Sequence, residues 1–547
     1  MPSGSPSAIA PKPSRARSHE SRRGLTLLFV GLILAMLLAA LSQTVLSAAM
    51  PTMVGELGGV DLMLWVMTAY ILASTIMMPI YGKVGDLIGR KGILLFAISI
   101  FMAGSVLGGL AGDMNMLIVA RVVQGIGGGG LIILSQAIIA DVVPARERGK
   151  YMGIMGAVFA VSSVVGPLLG GWFTDEIGWR WTFWMNVPLG ILALAGGIAF
   201  LHLPRHDNAR PRIDVLGIAL LTIATTCLVL VASWGGSAYE WTSPEIILLG
   251  VGTVIAAVLF VLVELRAAEP IIPMNLFRDR NFVLTTVAGL FTGIAMFGVL
   301  GYLPTYLQMT FGQDATSAGL WMIPMMGAML LSSVGTGFLV SRFGRYKWMP
   351  IAGSSLVVVA LALFGTMTPE TSLPVFGGYL AIMGLGLGAS MQILVLIVQN
   401  SFHISMVGTA TASNNYFRQI GATLGSALVG SLFATRLFDL LAERLPSGGS
   451  QAIGGAQSLT PEAVKHLPDA LRTIIDQAYS DALTPLFLWM VPLAIFAVVL
   501  LLFIDEVPLS TTIDRESVVE QSMGQGNLVL TGEITLPVSP PGNPVRE

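Results

Sequence analysis

Cysteine and charge are the scarcest features of this sequence. The single cysteine among 547 residues, Cys227, lies in an apolar run, which excludes a disulfide framework, a cysteine-based zinc cluster and iron–sulfur ligation. Charged residues make up 11% of the chain, against about 25% in a soluble globular domain. Lys and Arg number 29 and Asp and Glu 31, so no net basicity is present for a nucleic-acid binder to use. The five histidines, His19, His202, His206, His403 and His466, are scattered. A membrane enzyme such as a lipid acyltransferase would need them, or Asp and Ser, clustered near one membrane face. No GxxxxGK[ST] occurs, so nothing points to ATP hydrolysis. No metal site and no cofactor are expected.

Apolar residues are abundant instead. The chain is 54% hydrophobic, contains 63 glycines and has a mean hydropathy of +0.79. A hydrocarbon core of about 30 Å takes about 20 apolar residues of helix. Runs of that length fall at about 25–48, 62–84, 92–112, 115–138, 150–173 and 179–203. Two follow at about 214–234 and 244–265, and six more at about 281–310, 316–341, 347–367, 372–398, 407–436 and 484–504. The expected fold class is an all-α polytopic membrane protein with 14 transmembrane helices, arranged as six, two and six. Alternating β-barrel strands of about 10 residues are not seen.

Basic residues orient the spans, because loops on the cytoplasmic side retain them. Lys12, Arg15, Arg17, Arg22 and Arg23 precede the first span, and three basic residues sit in each of five later loops, such as Lys83, Arg90 and Lys91. Both termini are therefore expected in the cytoplasm, with the chain multi-pass in the cytoplasmic (inner) membrane. The first apolar run is too long for a signal peptide and reads as an uncleaved helix. The domain reading is a disordered leader at 1–23, a first bundle at 24–204, a two-helix insert at 205–270, a second bundle at 271–505 and a tail at 506–547. Within the second bundle, the long outer loop 437–483 carries Val464, Leu467, Leu471, Ile474, Ile475 and Ala478 at helical spacing. It is expected to form an amphipathic helix on the outer membrane surface, a solvated linker being the plainer alternative.

The two bundles share a repeat. GKVGDLIGRKG begins at Gly82 after the second span, and GFLVSRFGRYK begins at Gly337 after the tenth. Related halves facing one another are the architecture of secondary transporters. In the first copy Gly82 and Gly89 permit close helix approach, while Arg90 and Lys91 can bind helix ends, with Asp86 as their natural partner. In the second copy the corresponding residues are Gly337, Gly344, Arg342 and Arg345, and Ser341 replaces the aspartate.

Further motifs narrow the reading. RVVQGIGGGG starts at Arg121, a run ending SSVVGPLLGG spans Ser162–Gly171, WRWTFWMNVPLG spans Trp179–Gly190, and NNYFRQIGATLG spans Asn414–Gly425. In combination these resemble the major facilitator superfamily, and within it the fourteen-helix drug:proton antiporter branch of EmrB/QacA type. The resemblance implies a major facilitator fold, a monomer, alternating access, export of small amphiphilic compounds such as drugs or antibiotics, and exchange for protons. It makes Gly82–Lys91 a gate, and Ser162, Gly166, Pro167, Gly170 and Gly171 the antiporter motif in which the fifth span bends.

Individual polar residues in the spans are candidates for the transport site. Arg121 lies in an apolar helix, where a charge costs several kcal/mol and is usually functional; Gln124 is one turn away, and relatives implicate the matching arginine in proton transfer. Arg418 lies about 16 Å into its helix, with Asn414 and Asn415 a turn before it and Gln392 and Gln399 on the twelfth span. A polar central cavity is expected there, helix–helix hydrogen bonding being the plainer alternative. Met67, Tyr70, Phe159, Trp184, Met322, Met325 and Tyr416 can line an adaptable pocket, although most such residues face lipid or neighbouring helices. Gly125, Gly127 and Gly130 spell GxGxxG without a preceding strand, so no dinucleotide is expected; Gly421 and Gly425 read as a packing face.

One departure stands out. The branch usually carries an acidic residue in its first span, in a stretch like LDQTIVSTALP, whereas this chain reads LSQTVLSAAMP from Leu41, with Ser42 in the acidic position and Gln43 following. A buried carboxylate is the obvious proton carrier, and here it is missing. A cavity flanked by Arg121 and Arg418 without that carboxylate is expected to favour neutral or anionic amphiphiles over cationic dyes. A dedicated lipid or metabolite exporter, or a uniporter without proton coupling, is the alternative; membrane lipids and the substrate are the expected partners.

Overall fold

The computed structural model describes residues 15–59, 62–201, 212–236, 238–444, 464 and 468–511. Among these residues the chain is helical, the one β-like contact being an isolated bridge between Gly235 and Tyr239. Thirteen of the described helices or joined helical segments are long and apolar enough to cross a membrane, and the 17-residue Trp348–Phe364 is a shorter apolar helix between two of them. The first six spans are α1 (Arg15–Leu57), α2 (Met63–Ile88), α3 (Arg90–Gly109), α4 (Met114–Val142), α5 (Ala145–Trp172) and the joined pair α6 (Trp181–Trp184) and α7 (Asn186–Phe200). The insert is α8 (Val215–Trp234) and α9 (Pro244–Glu264). The second half comprises α10 (Arg280–Leu300), α11 (Leu303–Thr310), α12 (Ala315–Trp321), α13 (Ile323–Phe343), α14 (Trp348–Phe364), α15 (Leu373–Ser401), α16 (Val407–Arg444) and α17 (Asp469–Leu502).

Local chemistry sets many of these boundaries. Asp113, Asp214, Ser243, Asp279 and Asp314 each accept a backbone N–H three residues on, capping α4, α8, α9, α10 and α12, which satisfies donors that a helix start leaves orphaned. Gly344 ends α13 in the left-handed region at φ 72°, and Gly89, at φ 102°, separates α2 from α3 inside the repeated loop motif. The ninth span is interrupted between α10 and α11, and the tenth between α12 and α13, with Pro304 and Pro324 in the first turn of the second piece. Proline is tolerated there because its missing N–H would have no helical partner.

Each half has its own apolar core. Leu32, Phe101, Leu131 and Met155 belong to the first, and Tyr306, Phe364, Phe376 and Phe487 to the second. In lipid, apolar surface gives little drive for helices to associate, so close packing of small residues does that work. The glycine run of α4 shows how. A Cβ at Gly125 would meet Tyr70 O of α2, and one at Gly127 would meet Ala97 O and Phe101 of α3. These glycines let two backbones touch one helix, and Gly421 and Gly425 do the same for α16 against α10, at Leu290 O and Ile294 O. Across the seam between the halves, α5 packs on α13 and α15, and α16 packs on α2 and α4. The insert's α8 lies against α2 and α16, while α9 leaves Leu248, Val254 and other apolar residues exposed.

Two expectations change. Residues 471–483 do not form a surface helix. They belong to α17, which runs unbroken into the last span, and Ile475, Ala478 and Val464 are buried in the second core together with Phe433 and Tyr479. The periodic apolar face is real, but the bundle covers it rather than a membrane surface; Leu467 lies outside the described residues. At the other end, the backbone of α1 is already helical from Arg15, inside the segment read as a disordered leader, whose residues 1–14 lie outside the described residues, as do 512–547 of the tail.

Candidate functional site

The end of the bundle that carries the Lys- and Arg-rich loops, the basic end, is closed across both seams. In the first copy of the loop motif Asp86 accepts Arg90 Nε and Nη2 at 3.1 and 2.6 Å on one oxygen. Its other oxygen accepts Thr409 N and Thr409 Oγ1 at 2.7 and 2.8 Å. Thr409 is in the first turn of α16, so a carboxylate of one half occupies the positive end of a helix of the other. Arg90 also pairs with Asp141 and donates to Ala137 O and, across the seam, to Ile404 O at 2.9 Å. Gly82 and Gly408 leave room for this approach: a Cβ at Gly82 would collide with Ala412 and Gly408 O, and one at Gly408 with the Asp86 carboxylate. Lys91, grouped with the gate by its sequence, instead reaches Ile198 O of α7 within its own half.

The second copy closes the other seam with fewer charges. Ser341 Oγ accepts Lys150 N at 3.0 Å, and Arg146 donates to Ser341 O and Arg342 O at 3.2 and 3.1 Å. Gly337 faces Gly149 O and Gly153, with Ser333 Oγ donating to Gly153 O at 2.9 Å. The Arg342 and Arg345 side chains stay exposed.

Deeper in the first half lies Arg121, fully buried. Its Nη1 donates to Ser42 Oγ at 3.2 Å and to Gln124 Oε1 at 2.5 Å, its Nε donates to Val66 O at 3.1 Å, and its guanidinium stacks 4.1 Å over the Tyr70 ring. Gln124 Nε2 continues the chain to Ser105 Oγ at 2.8 Å, and Gln43 is a hydrogen-bond neighbour of Tyr70. Arg121 Nη2 is buried with no partner, and among the described residues no carboxylate forms an ion pair with Arg121. Ser42 thus stands where a carboxylate would complete the guanidinium, supplying one neutral oxygen.

A second polar cluster straddles the seam. Asn415 Nδ2 donates to Gln136 Oε1 at 3.1 Å, Arg418 Nη2 donates to Asn415 Oδ1 at 2.5 Å, and Gln399 Nε2 donates to Gln136 O and Thr411 Oγ1 at 3.1 and 3.3 Å. Asn414 points away to Thr286 on α10. Gln399 sits two residues from the end of α15, so this cluster lies toward the basic end, and Gln392 two turns higher packs beside Gly156 of α5. Gln136 Nε2, Gln392 Oε1 and Gln399 Oε1 are buried without partners. Such orphaned groups cost free energy unless a ligand or water meets them.

The antiporter motif packs α5 against α1. Thr44 Oγ1 donates to Ser162 O at 2.9 Å, while a Cβ at Gly166 or Gly170 would collide with Thr44 or Val45 O; Gly171 faces open space. Pro167 lies inside the continuous helix. Of the aromatics, Tyr70 touches Arg121 and Tyr416 pairs with Thr225 of the insert at 2.7 Å; Met325 belongs to the second core.

Gln136, Thr409 and Arg146 were not singled out by sequence. Gln136 carries a usable signal, a lone amide within the apolar stretch LIILSQAII, whereas the contacts of Thr409 and Arg146 follow from their places at helix starts that face the other half, which need the fold.

The sequence profile of the Major Facilitator Superfamily matches residues 32–426. An uncharacterized MFS-type transporter of Mycobacterium tuberculosis is 41% identical over 485 residues, covering 88% of this chain and 70% of that one. Multidrug transporter protein MdtP of Bacillus subtilis is 37% identical over 489 residues, covering 84% and 90%. Among solved structures, the human organic anion transporter MFSD10 (TETRAN) superposes with a TM-score of 0.56 at 16% identity, covering 86% of this chain and 99% of that one, a likeness of fold.

Proposed function

The chain belongs to the major facilitator superfamily, and from that premise we propose that it exports small amphiphilic compounds by alternating access, in exchange for protons. Its basic end faces the cytoplasm of the cell that carries it in its inner membrane. The cargo class follows from the observation that carries the reading: Arg121 is fully buried beside Ser42 with one nitrogen unpaired. Among the described residues Arg418 likewise hydrogen-bonds a neutral amide, Asn415, and forms no ion pair. Two cations in low-dielectric surroundings without carboxylates repel a cationic ligand and attract an anionic or hydrogen-bond-accepting one. The name of the Bacillus relative, a multidrug transporter, supports export of drug-like molecules.

A second reading, a dedicated metabolite exporter or a uniporter without proton coupling, is favoured by Ser42 itself, since a hydroxyl does not titrate in the accessible range. Purified protein in liposomes, given labelled anionic, neutral and cationic amphiphiles with and without an imposed pH gradient, separates them. Faster transport of the anionic and neutral classes, accelerated by the gradient, supports the proposal. Gradient-independent transport selects the second reading, and preferential transport of ethidium-like cations, undiminished in Ser42→Ala, contradicts the cargo class.

A further inference from the structure

After α17 the chain does not leave the bundle. Residues 505–510 run across the basic end and are anchored first on the second half. Asp505 N donates to Asn281 Oδ1, and Asn281 Nδ2 donates to Asp505 O, both at 2.8 Å. Glu506 Oε1 accepts Tyr346 N and Lys347 N at 2.9 and 3.3 Å, which puts a carboxylate on the backbone donors that lead into α14, a favourable place for negative charge. Val507 N donates to Tyr346 Oη at 2.7 Å, and Asn400 Nδ2 donates to Val507 O at 3.2 Å. Burial pushes the Tyr346 phenol up, so its hydroxyl stays neutral.

Three residues on, the anchor changes halves. Arg146 N, in the first turn of α5, donates to Ser510 O at 3.0 Å, so the strap supplies an acceptor for a helix-start donor of the first half. Between these two anchors Leu509 is 8% exposed, in an apolar cluster that holds Ala145 of the first half and Val340, Tyr346 and Leu501 of the second. Arg146, held by Ser510 through its backbone, grips Ser341 O and Arg342 O through its side chain. A rocking motion that parts α5 from α13 therefore stretches a segment fixed at Glu506 on one body and at Ser510 on the other. Four residues of chain cannot follow a large separation.

We propose that residues 505–510 are a latch, which holds the basic end shut by seating Leu509 and Ser510 on α5 and which must leave α5 each time that end opens. The latch sets the balance between the two access states. It rests on the alternating-access reading.

The test reads the state of the basic end without substrate. Spin labels at Glu147→Cys and Arg278→Cys, exposed positions on the first and second halves, in a Cys227→Ser background, report the separation of the halves in the full-length protein in liposomes. Leu509→Ser is expected to raise the ratio of the long-distance to the short-distance population about tenfold over the parent. A chain ending at Pro508 should do the same, which covers the case in which Leu509→Ser does not fold. A parent with both populations whose ratio neither Leu509→Ser nor the shortened chain raises overturns the latch. A single short-distance population in every form overturns alternating access itself.

Discussion

The two copies of the loop motif close the two seams of the basic end with different chemistry. Around Asp86 the contact is charged and buried: the carboxylate and Arg90 side chains are 4% and 6% exposed, and the carboxylate caps a helix of the opposite half. Around Ser341 it consists of a hydroxyl, backbone carbonyls and the long reach of Arg146. The repeat is thus conserved in place but not in mechanism. The first seam is the stronger and more specific, because opening it takes the Asp86 carboxylate off Thr409 and the Arg90 guanidinium off Ile404 O, hydrogen bonds to charged groups worth about 1.5–3 kcal/mol each, whereas losing a neutral hydrogen bond at a half-exposed site costs about 1 kcal/mol. The latch at 505–510 lies at the weaker seam, where α5 meets α13.

This asymmetry can be broken from either side. The largest effect is expected from Asp86→Ala, which removes the one oxygen that accepts both Thr409 donors and leaves Arg90 paired with Asp141 alone. The closed state should lose about 1.5–3 kcal/mol, seen as loss of substrate counterflow together with a lowered thermal midpoint of the purified protein. A counterflow rate equal to wild type would mean that the first seam does not carry the gate. Ser341→Asp should work in the opposite direction, since a carboxylate facing Arg146 and the start of α5 adds about 0.3–1 kcal/mol to the closed state. Label distances across the basic end should shorten on average and turnover should slow; a widened separation would contradict it. A loss of about 0.5–1.5 kcal/mol is expected from Ser341→Ala, read as a modest rise in the open population.

The positions of these elements were legible in the sequence to different degrees. The spans follow from hydropathy because lipid forces backbone groups to pair within a helix, and the loop motif is visible because it occurs twice. The breaks at Pro304 and Pro324 left a signal in the prolines, but an apolar run hides an interruption that keeps its hydropathy. Val464, Ile475 and Ala478 show a limit of periodicity: the spacing specifies an apolar face and is silent on whether lipid or protein covers it. For the candidate site, Arg121, Gln124 and Ser42 were each named from sequence and are joined in one hydrogen-bonded group. Gln136 was missed because its partner, Asn415, lies on a helix of the other half, and such pairing is set by how the halves dock.

The difference between the halves extends to the transport site. On the first side a guanidinium faces Ser42, at the position where resemblance to the antiporter branch leads one to expect an acid, and placing an acid there tests what the vacancy of charge means. The decisive measurement is export by wild type and Ser42→Asp in parallel liposomes across a series of imposed pH gradients. A carboxylate placed within reach of Arg121 should make transport steeply dependent on the gradient and shift selectivity toward cationic amphiphiles, while wild type keeps its preference for neutral and anionic ones. Identical gradient dependence and identical charge selectivity in the two proteins would contradict the claim that the uncompensated Arg121 sets what this transporter carries.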